Sequence, residues 1–524
     1  MQDYSLESKD RLDKIKKLKK SWVIVYANNY NGKIDILDIL NKKESIKNID
    51  DLMNWNNIWE FKTAWRIISS RWMWKLLFIK LRDYSWDIQI CFSKDMVLFN
   101  TWNKIVEKLQ IDNEEKTSFK IAEKFCQVWD YIWVIWDLFL TKHWELTIFA
   151  LEFQILSKSI RPLPEKFHWL QDEETIYRQR YLDLIMSDDS FKRFKLRSKF
   201  IKVLRDFYYE NNFIEIETPV LWNAASWAAA KPFITHHNDF WEDYFLRISP
   251  ETNLKKATVW RFERVVEFAR NFRNEWSDPS HMQEFSMIEH YAAWRNFEDN
   301  MIFIEKMYDY IFDNIKELSK IVEIKDKQWN IKQVNFQTPW QRIDYIEWVK
   351  KACWIDVSNY NIWDEKKLIA DIKLSGINFA WMDKMWVPTL IDYLFKKVLR
   401  PSIIGPAFVY NYPKTMQPLA RQSDKNPEIV EQFQVIVNWW EICKAYSELV
   451  DPEIQKLNFE AQSWAIERWD EEATSPDDDF VLAMEYGMPP QSWFGMWIER
   501  IFSLLTKQDN LRDVTLFPLV KSKK

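Results

Sequence analysis

The chain has 524 residues, 47% hydrophobic and 29% charged, with a formal net charge of −5; it is long enough for more than one core, and no global basic field advertises nucleic acid, which only local patches could then hold. Four scattered cysteines (Cys91, Cys126, Cys353, Cys443) form no CxxC pair, which argues against a zinc knuckle or a disulfide framework and fits a reducing cytoplasm. One count is abnormal: 5 Gly stand against 32 Trp, and together they match the roughly 37 glycines that an average chain of this length carries at about 7%, so many tryptophans stand where a chain uses glycine.

In chain order, the opening MQDYSLESKD lacks the apolar core of a signal peptide, and no apolar run reaches the length of a membrane span. Residues 6–20, LESKDRLDKIKKLKK, read as a basic amphipathic helix, either a solvated face or an arm against RNA phosphates. Residues 1–55 form a helical extension. Residues 56–158 alternate apolar and polar positions in short runs, interrupted by Trp72, Trp74, Trp86, Trp129, Trp133 and Trp136. If those tryptophans act as glycine, the runs become kinked strands with bulges and a hairpin near 142–146, the pattern of a five-stranded OB barrel with an insertion near 97–125. Residues 159–180 are a Pro-containing linker leading into helical periodicity, and 181–524 form a larger domain of mixed strands and helices, for an α+β protein overall.

Two stretches carry chemistry. In RNFRNEWSDPSHMQEFSMIEH, 270–290, alternating runs flank a polar loop. Arg273 and Glu275 share a face, the Arg fork suits a phosphate, and Phe285 offers a ring to a base. Surface hairpin chemistry is the other reading of the same residues. In MPPQSWFGMWIERIFSLLT, 488–506, a strand runs into a helix opened by Arg500; with glycine at 493 and 497 a ligand could lie flat on the strand, whereas the literal residues read as an aromatic core strand. The doublet His236–His237 has no third ligand at metal spacing.

These two stretches resemble motifs 2 and 3 of the class II aminoacyl-tRNA synthetases, and NNFIEIETPVL, 211–221, resembles motif 1 with Pro219 at its fixed proline and Asn212 where many members have glycine. AASWAAAKPFITHHN, LRISPETNLKKATVWRFERVVEFARNFRNEW and NWWEICKAYSELVDP narrow the resemblance to the lysyl-tRNA synthetases over nearly the whole chain. The resemblance implies an N-terminal OB-fold anticodon-binding barrel, a catalytic antiparallel sheet flanked by helices, and a homodimer built through motif 1. It implies ATP, L-lysine, tRNA(Lys) and Mg²⁺ as ligands, a cytoplasmic location and no membrane. Arg273, Glu275 and Arg500 would be catalytic; His281 and Phe285 would complete the ATP site; Glu441 and Gln434 would hold the metal. Trp227, Glu251, Glu289, Tyr291, Tyr446 and Glu448 would surround lysine, and Phe78, Gln89 and Glu145 the anticodon. Three residues depart from the pattern: Gln434 replaces a metal-binding glutamate, Lys444 an asparagine, and Ser280 an arginine that some members carry.

The same resemblance puts glycine at Trp22, Trp65, Trp72, Trp74, Trp86, Trp129, Trp133, Trp136, Trp144, Trp169, Trp227, Trp276, Trp439, Trp493 and Trp497, as expected if UGA codons meaning glycine were read as tryptophan. Overpacking at ~1–3 kcal/mol per site would then exceed a typical stability of about 5–15 kcal/mol, with distortion expected at Trp227 and Trp497. Trp294 and Trp440 are expected to be genuine. Alternatives are lysylation of a protein by a paralogue without the barrel, an aspartate or asparagine ligase, whose pocket should present cations, and a non-catalytic RNA-binding module, which should lack the ATP residues.

Overall fold

The computed structural model describes residues 5–41, 61–141, 145–163, 172–223, 230–326, 328–467 and 477–522; Trp144, Trp169 and Trp227 lie outside them. Contacts divide the chain into two compact units, Met1–His168 and Trp169–Lys524.

The first unit is built on β1 (Phe61–Met73), β2 (Leu76–Arg82), β3 (Asp87–Ser93), β4 (Leu98–Asn100), β5 (Ile105–Val106), β6 (Tyr131–Leu140) and β7 (Leu146–Ser157). Strand β1 pairs with β2 and β6, β2 with β3, and β6 with β7, all antiparallel, while β3 closes on β7 in parallel. Five strands thus form a ring, the pairing of an OB fold. Period-2 alternation turns Leu77, Ile79 and Leu81 of β2 inward and Phe78 and Lys80 outward. Register shifts at Tyr131/Ile132 and Ile135/Trp136 are the bulges expected around the tryptophans of this strand.

The 97–125 stretch belongs to this core and is no mere appendage. Its helix Ser118–Phe125, N-capped by Thr117, buries Phe119, Ile121 and Phe125 in the barrel cluster. The helix Leu6–Lys20 likewise buries Ile15 and Leu18 there, and Arg11 donates to the Val128 carbonyl at 3.0 Å. One face of that basic helix is therefore occupied by packing.

The second unit carries an eight-stranded sheet of β8 (Ile214–Glu215), β9 (Arg264–Phe272), β10 (Glu284–Ala293), β11 (Gln341–Asp344), β12 (Ala407–Pro413), β13 (Ile429–Val437), β14 (Trp440–Ser447) and β15 (Gln491–Trp497), in the order β8-β9-β10-β15-β14-β13-β12-β11. The pairings from β9 through β12 are antiparallel, and the two end pairs are parallel. Helices Asp188–Glu210 and Phe297–Asn314 cover one face; the second is started by a capping box between Asn296 and Asp299. Met301, Ile304, Tyr308 and Ile311, at helical spacing, join Ile288, Phe433, Ala445 and Phe494 of the sheet in a continuous core. The other face of the same central strands is left to line a cavity.

Tryptophan backbone geometry separates two populations. Among the described residues, ten of the seventeen non-glycine positions with positive φ are tryptophan: Trp22, Trp74, Trp102, Trp129, Trp241, Trp294, Trp329, Trp354, Trp381 and Trp439. The left-handed region costs an L-residue about 1–2 kcal/mol, and glycine enters it freely. Trp294 thus falls with the glycine-like group, at φ 62° and exposed, against the expectation that it is genuine. Trp440 lies in strand backbone within the core, and Trp340, buried between Tyr308 and Phe408, donates its indole N–H to the Phe336 carbonyl at 3.1 Å. Overpacking is confined to fewer sites than the sequence predicts: Trp22, Trp72, Trp74, Trp86 and Trp276 are exposed, and it does not arise there. Among the described glycine-like positions, indoles are buried at Trp133, Trp493 and Trp497.

Candidate active site

The register of four neighbouring strands lays out a cavity floor. Tyr291, Trp493, Tyr446 and Gln432 form one row across β10, β15, β14 and β13; Glu289, Gly495, Lys444 and Gln434 form the next; Met287 and Trp497 begin a third. The cavity above it holds about 840 Å³, and its walls include Ser249, Glu251, Arg273, Glu441 and Arg500. It has two chemically different ends.

At one end Glu251 and Glu289 line the cavity, and a third carboxylate, Glu448, is buried behind them. Glu251 opens the helix Glu251–Thr258, Glu289 rises from β10, and Glu448 follows β14. Glu289 accepts from the Ser249 hydroxyl at 2.9 Å and from the Trp493 indole N–H at 3.0 Å. Burial, reinforced by Glu251, pushes its pKa up to about 8. Glu448 is also raised by burial to about 8, against the pull of Lys255. Lys255 lies 2.8 Å from both Glu251 and Glu448. Burial opposes its charge, but the two carboxylates prevail and raise its pKa. Tyr446 donates its hydroxyl to Glu251. Glu448 Oε1 and the Tyr291 hydroxyl are buried without a hydrogen-bond partner. This is an anionic pocket with unused acceptor capacity, suited to ammonium groups.

At the other end an aromatic slot is already filled. The Trp497 indole lies 3.9 Å from the Phe285 ring at 7°, and the Arg500 guanidinium sits 4.0 Å from its other face. Arg500 is fixed by donating to the carbonyls of Glu441 at 2.9 Å and Ser280 at 3.3 Å; burial lowers its pKa to about 10, against Glu441. Arg273 lies beside both rings of the slot, 5.2 Å from each centroid, with Nε unsatisfied and its pKa lowered by burial. Removing the indole leaves a flat slot between a phenyl ring and a guanidinium, the surroundings a purine requires. Trp493 intrudes on the anionic end in the same way, against Tyr446 at 4.6 Å.

Glu275 and His281 line the rim, His281 bonded to Asp278 at 2.9 Å with its pKa lowered by desolvation and by Arg500. Glu441 and Gln434 line the cavity near Arg500 and Lys444, and the Gln434 Oε1 accepts from the Tyr412 hydroxyl at 3.0 Å. No cluster of three metal-ligating side chains occurs among the described residues. One carboxylate and one amide oxygen suit a hard cation that takes the rest of its shell from phosphate and water. Trp227 lies outside the described residues. In the barrel, Phe78 and Gln89 are half-buried on neighbouring strands, Gln89 donating to Thr147 at 2.9 Å, and Glu145 is exposed just before β7. Sequence reasoning missed Lys255 and Ser249; the spacing of Lys255 four residues after Glu251 on one helix was the available signal.

Residues 172–521 match the family described as tRNA synthetases class II (D, K and N). The chain is 37% identical to a lysine–tRNA ligase of Aquifex aeolicus over 88% of its own length and 73% of that protein. It is 36% identical to one of Wolinella succinogenes over 98% and 96%, and 38% identical to one of Clostridium novyi over 81% of each. The chain belongs to the class II tRNA synthetases and, within them, to the lysine–tRNA ligase family.

Proposed function

We propose that this chain activates L-lysine with ATP and transfers the lysyl group to the 3′ end of tRNA(Lys). The observation that carries this reading is the polarity of one cavity: Glu251 and Glu289 line one end, with Glu448 buried behind them, and Arg273 and Arg500 line the other, where Phe285 stacks on Trp497. A lysyl moiety brings two ammonium groups, and a buried ammonium must be paired. Glu251 takes the α-ammonium; Glu289, Glu448 and Tyr291 take the ε-ammonium, with Tyr446 lining the wall. Phe285 and Arg500 sandwich adenine, and Arg273, with Glu275 and His281 along the rim, aligns the phosphates.

The lysine carboxylate attacks the α-phosphorus, forming a P–O bond as the bond to pyrophosphate breaks. A terminal ribose hydroxyl of tRNA then attacks the carbonyl carbon, and AMP leaves. Alignment and charge neutralisation carry the first step, with no general base required. Glu441 and Gln434 would hold Mg²⁺, which, when bound, neutralises the phosphates. Phe78, Gln89 and Glu145 read the anticodon loop by stacking and edge contacts. Apolar exposure at Tyr209, Ile214, Val220 and Leu221 around motif 1 supports a homodimer. No described helix is long and apolar enough to cross a membrane, and a cytoplasmic location is proposed.

The reading carries a condition. Indoles at 493 and 497 fill the amino-acid and adenine ends of the cavity, so the active form has glycine there, and at 227 on resemblance. Pyrophosphate exchange by the full chain carrying Trp227→Gly, Trp493→Gly and Trp497→Gly tests the proposal. Exchange is expected with lysine and not with aspartate or asparagine; exchange with aspartate alone contradicts it. The barrel speaks against a paralogue that lysylates protein, and Arg273, Phe285 and Arg500 speak against a non-catalytic module.

A further inference from the structure

Lys444 stands in the middle row of the cavity floor, beside Gly495 on β15 and opposite Gln434 on β13. Its ammonium donates to the Gln417 Oε1 at 2.9 Å, a neutral acceptor, and among the described residues it is in no ion pair. Three other cations around the cavity have partners within the chain, whereas Arg273, in its wall, keeps an unsatisfied Nε. Lys255 has two carboxylates, Lys396 has Asp392 at 2.6 Å, and Arg500 has two carbonyls. An ammonium facing a cavity with only an amide oxygen calls for an anion from outside the chain.

Its row gives the position of that anion. One row away, toward Tyr446 and Glu251, lies the anionic end; on the other side lies the slot of Phe285 and Arg500. The middle row is the seam between them. The Trp493 indole and the Met287 methyl lie over Gly495, where a Cβ would come within 2.7 Å and 2.8 Å of them, so glycine at 493 would clear part of the seam. Resting on the function proposed above, we infer that Lys444 binds the anionic oxygens at the seam where the lysine carboxylate meets the α-phosphate of ATP. Two anions repel as they approach, and a cation from the floor, together with Arg273 from the loop after β9, offsets that repulsion as the P–O bond forms. Gln434, directly opposite, is neutral and does not compete for the ammonium.

The test uses the full chain with Trp227→Gly, Trp493→Gly and Trp497→Gly as parent, and adds Lys444→Met, Lys444→Arg or Lys444→Asn. Binding of ATP, of L-lysine and of L-lysinamide, which lacks the carboxylate, is measured separately, alongside pyrophosphate exchange. A charge-assisted contact predicts that Lys444→Met lowers exchange kcat/KM by about 10- to 100-fold. Lys444→Arg should recover most of the loss and Lys444→Asn should not, while lysinamide binding stays at the parental value and reports an intact fold. Weaker ATP binding assigns the oxygens to phosphate; weaker lysine binding with lysinamide unmoved assigns them to the carboxylate. Lys444→Met or Lys444→Asn indistinguishable from the parent in exchange and in both bindings overturns the inference, as does a parent that binds neither ATP nor lysine. A parent that binds both yet does not exchange overturns the proposed function instead, and the binding arms still judge Lys444.

Discussion

Glu448 has one oxygen on Lys255 and the other without a partner, and that asymmetry sets what a ligand must bring. Replacing Glu448 by Gln removes the charge that an ε-ammonium seeks, so the KM for lysine should rise about tenfold or more, with the KM for ATP unmoved in the exchange assay. Replacing Lys255 by Met strands two buried carboxylates, which costs about 3–5 kcal/mol and should appear as a lower urea midpoint. The carboxyl group of Glu289, raised to about 8, is largely protonated in the empty pocket at neutral pH, whereas Glu448 is held in its charge pair with Lys255. The folded pKa of Glu289 lies above the unfolded value, so its contribution to stability is full below about 4.5 and is lost as pH rises through about 8. An arriving ammonium favours the ionised form, so lysine binding should release protons near pH 7 and tighten as pH rises from 6 to 8. Calorimetry in buffers of different ionisation heat measures this; binding without proton release contradicts it.

At the scale of elements, motif spacing made β9, β10, β15 and the helix Ile498–Leu505 legible, because the motifs set Arg273 just after β9, Phe285 on β10 and Arg500 in the first turn of that helix. The barrel was legible through alternation once its tryptophans were read as glycine. The row that joins Glu289 to Lys444 was not: it depends on which strand lies beside which, and β15 enters between β10 and β14 from about 200 residues after the first and about 50 after the second. The glycine-like tryptophans were legible where a motif covered them and invisible elsewhere, since Trp102, Trp241, Trp329, Trp354 and Trp381 betray themselves only by positive φ. Trp354 is the cleanest case, the left-handed C-cap of the helix Tyr345–Cys353, with φ 60° and 90% exposure. Nothing packs on it that glycine would forfeit, so Trp354→Gly should stabilise the chain by about 1 kcal/mol, read from the urea midpoint; an unchanged or lower midpoint would show the position to be a true tryptophan.

For the whole molecule, the proposed function puts chemistry and anticodon reading in different units of the two into which the chain divides. Phe78→Ala, on the outer face of β2, should therefore raise the KM for tRNA about tenfold, as expected for a lost base stack of ~1–3 kcal/mol, while leaving lysine-dependent pyrophosphate exchange unchanged. A parallel loss of exchange would deny that division of labour. A lysine-activating cavity exists here only if positions 493 and 497 carry no side chain, because the literal indoles fill both of its ends. Fragment-ion mass spectrometry of the tryptic peptide 469–500 from the native protein tests this most directly. Glycine at 493 and 497 is the predicted result; tryptophan at both, in a protein that still activates lysine, would contradict the account.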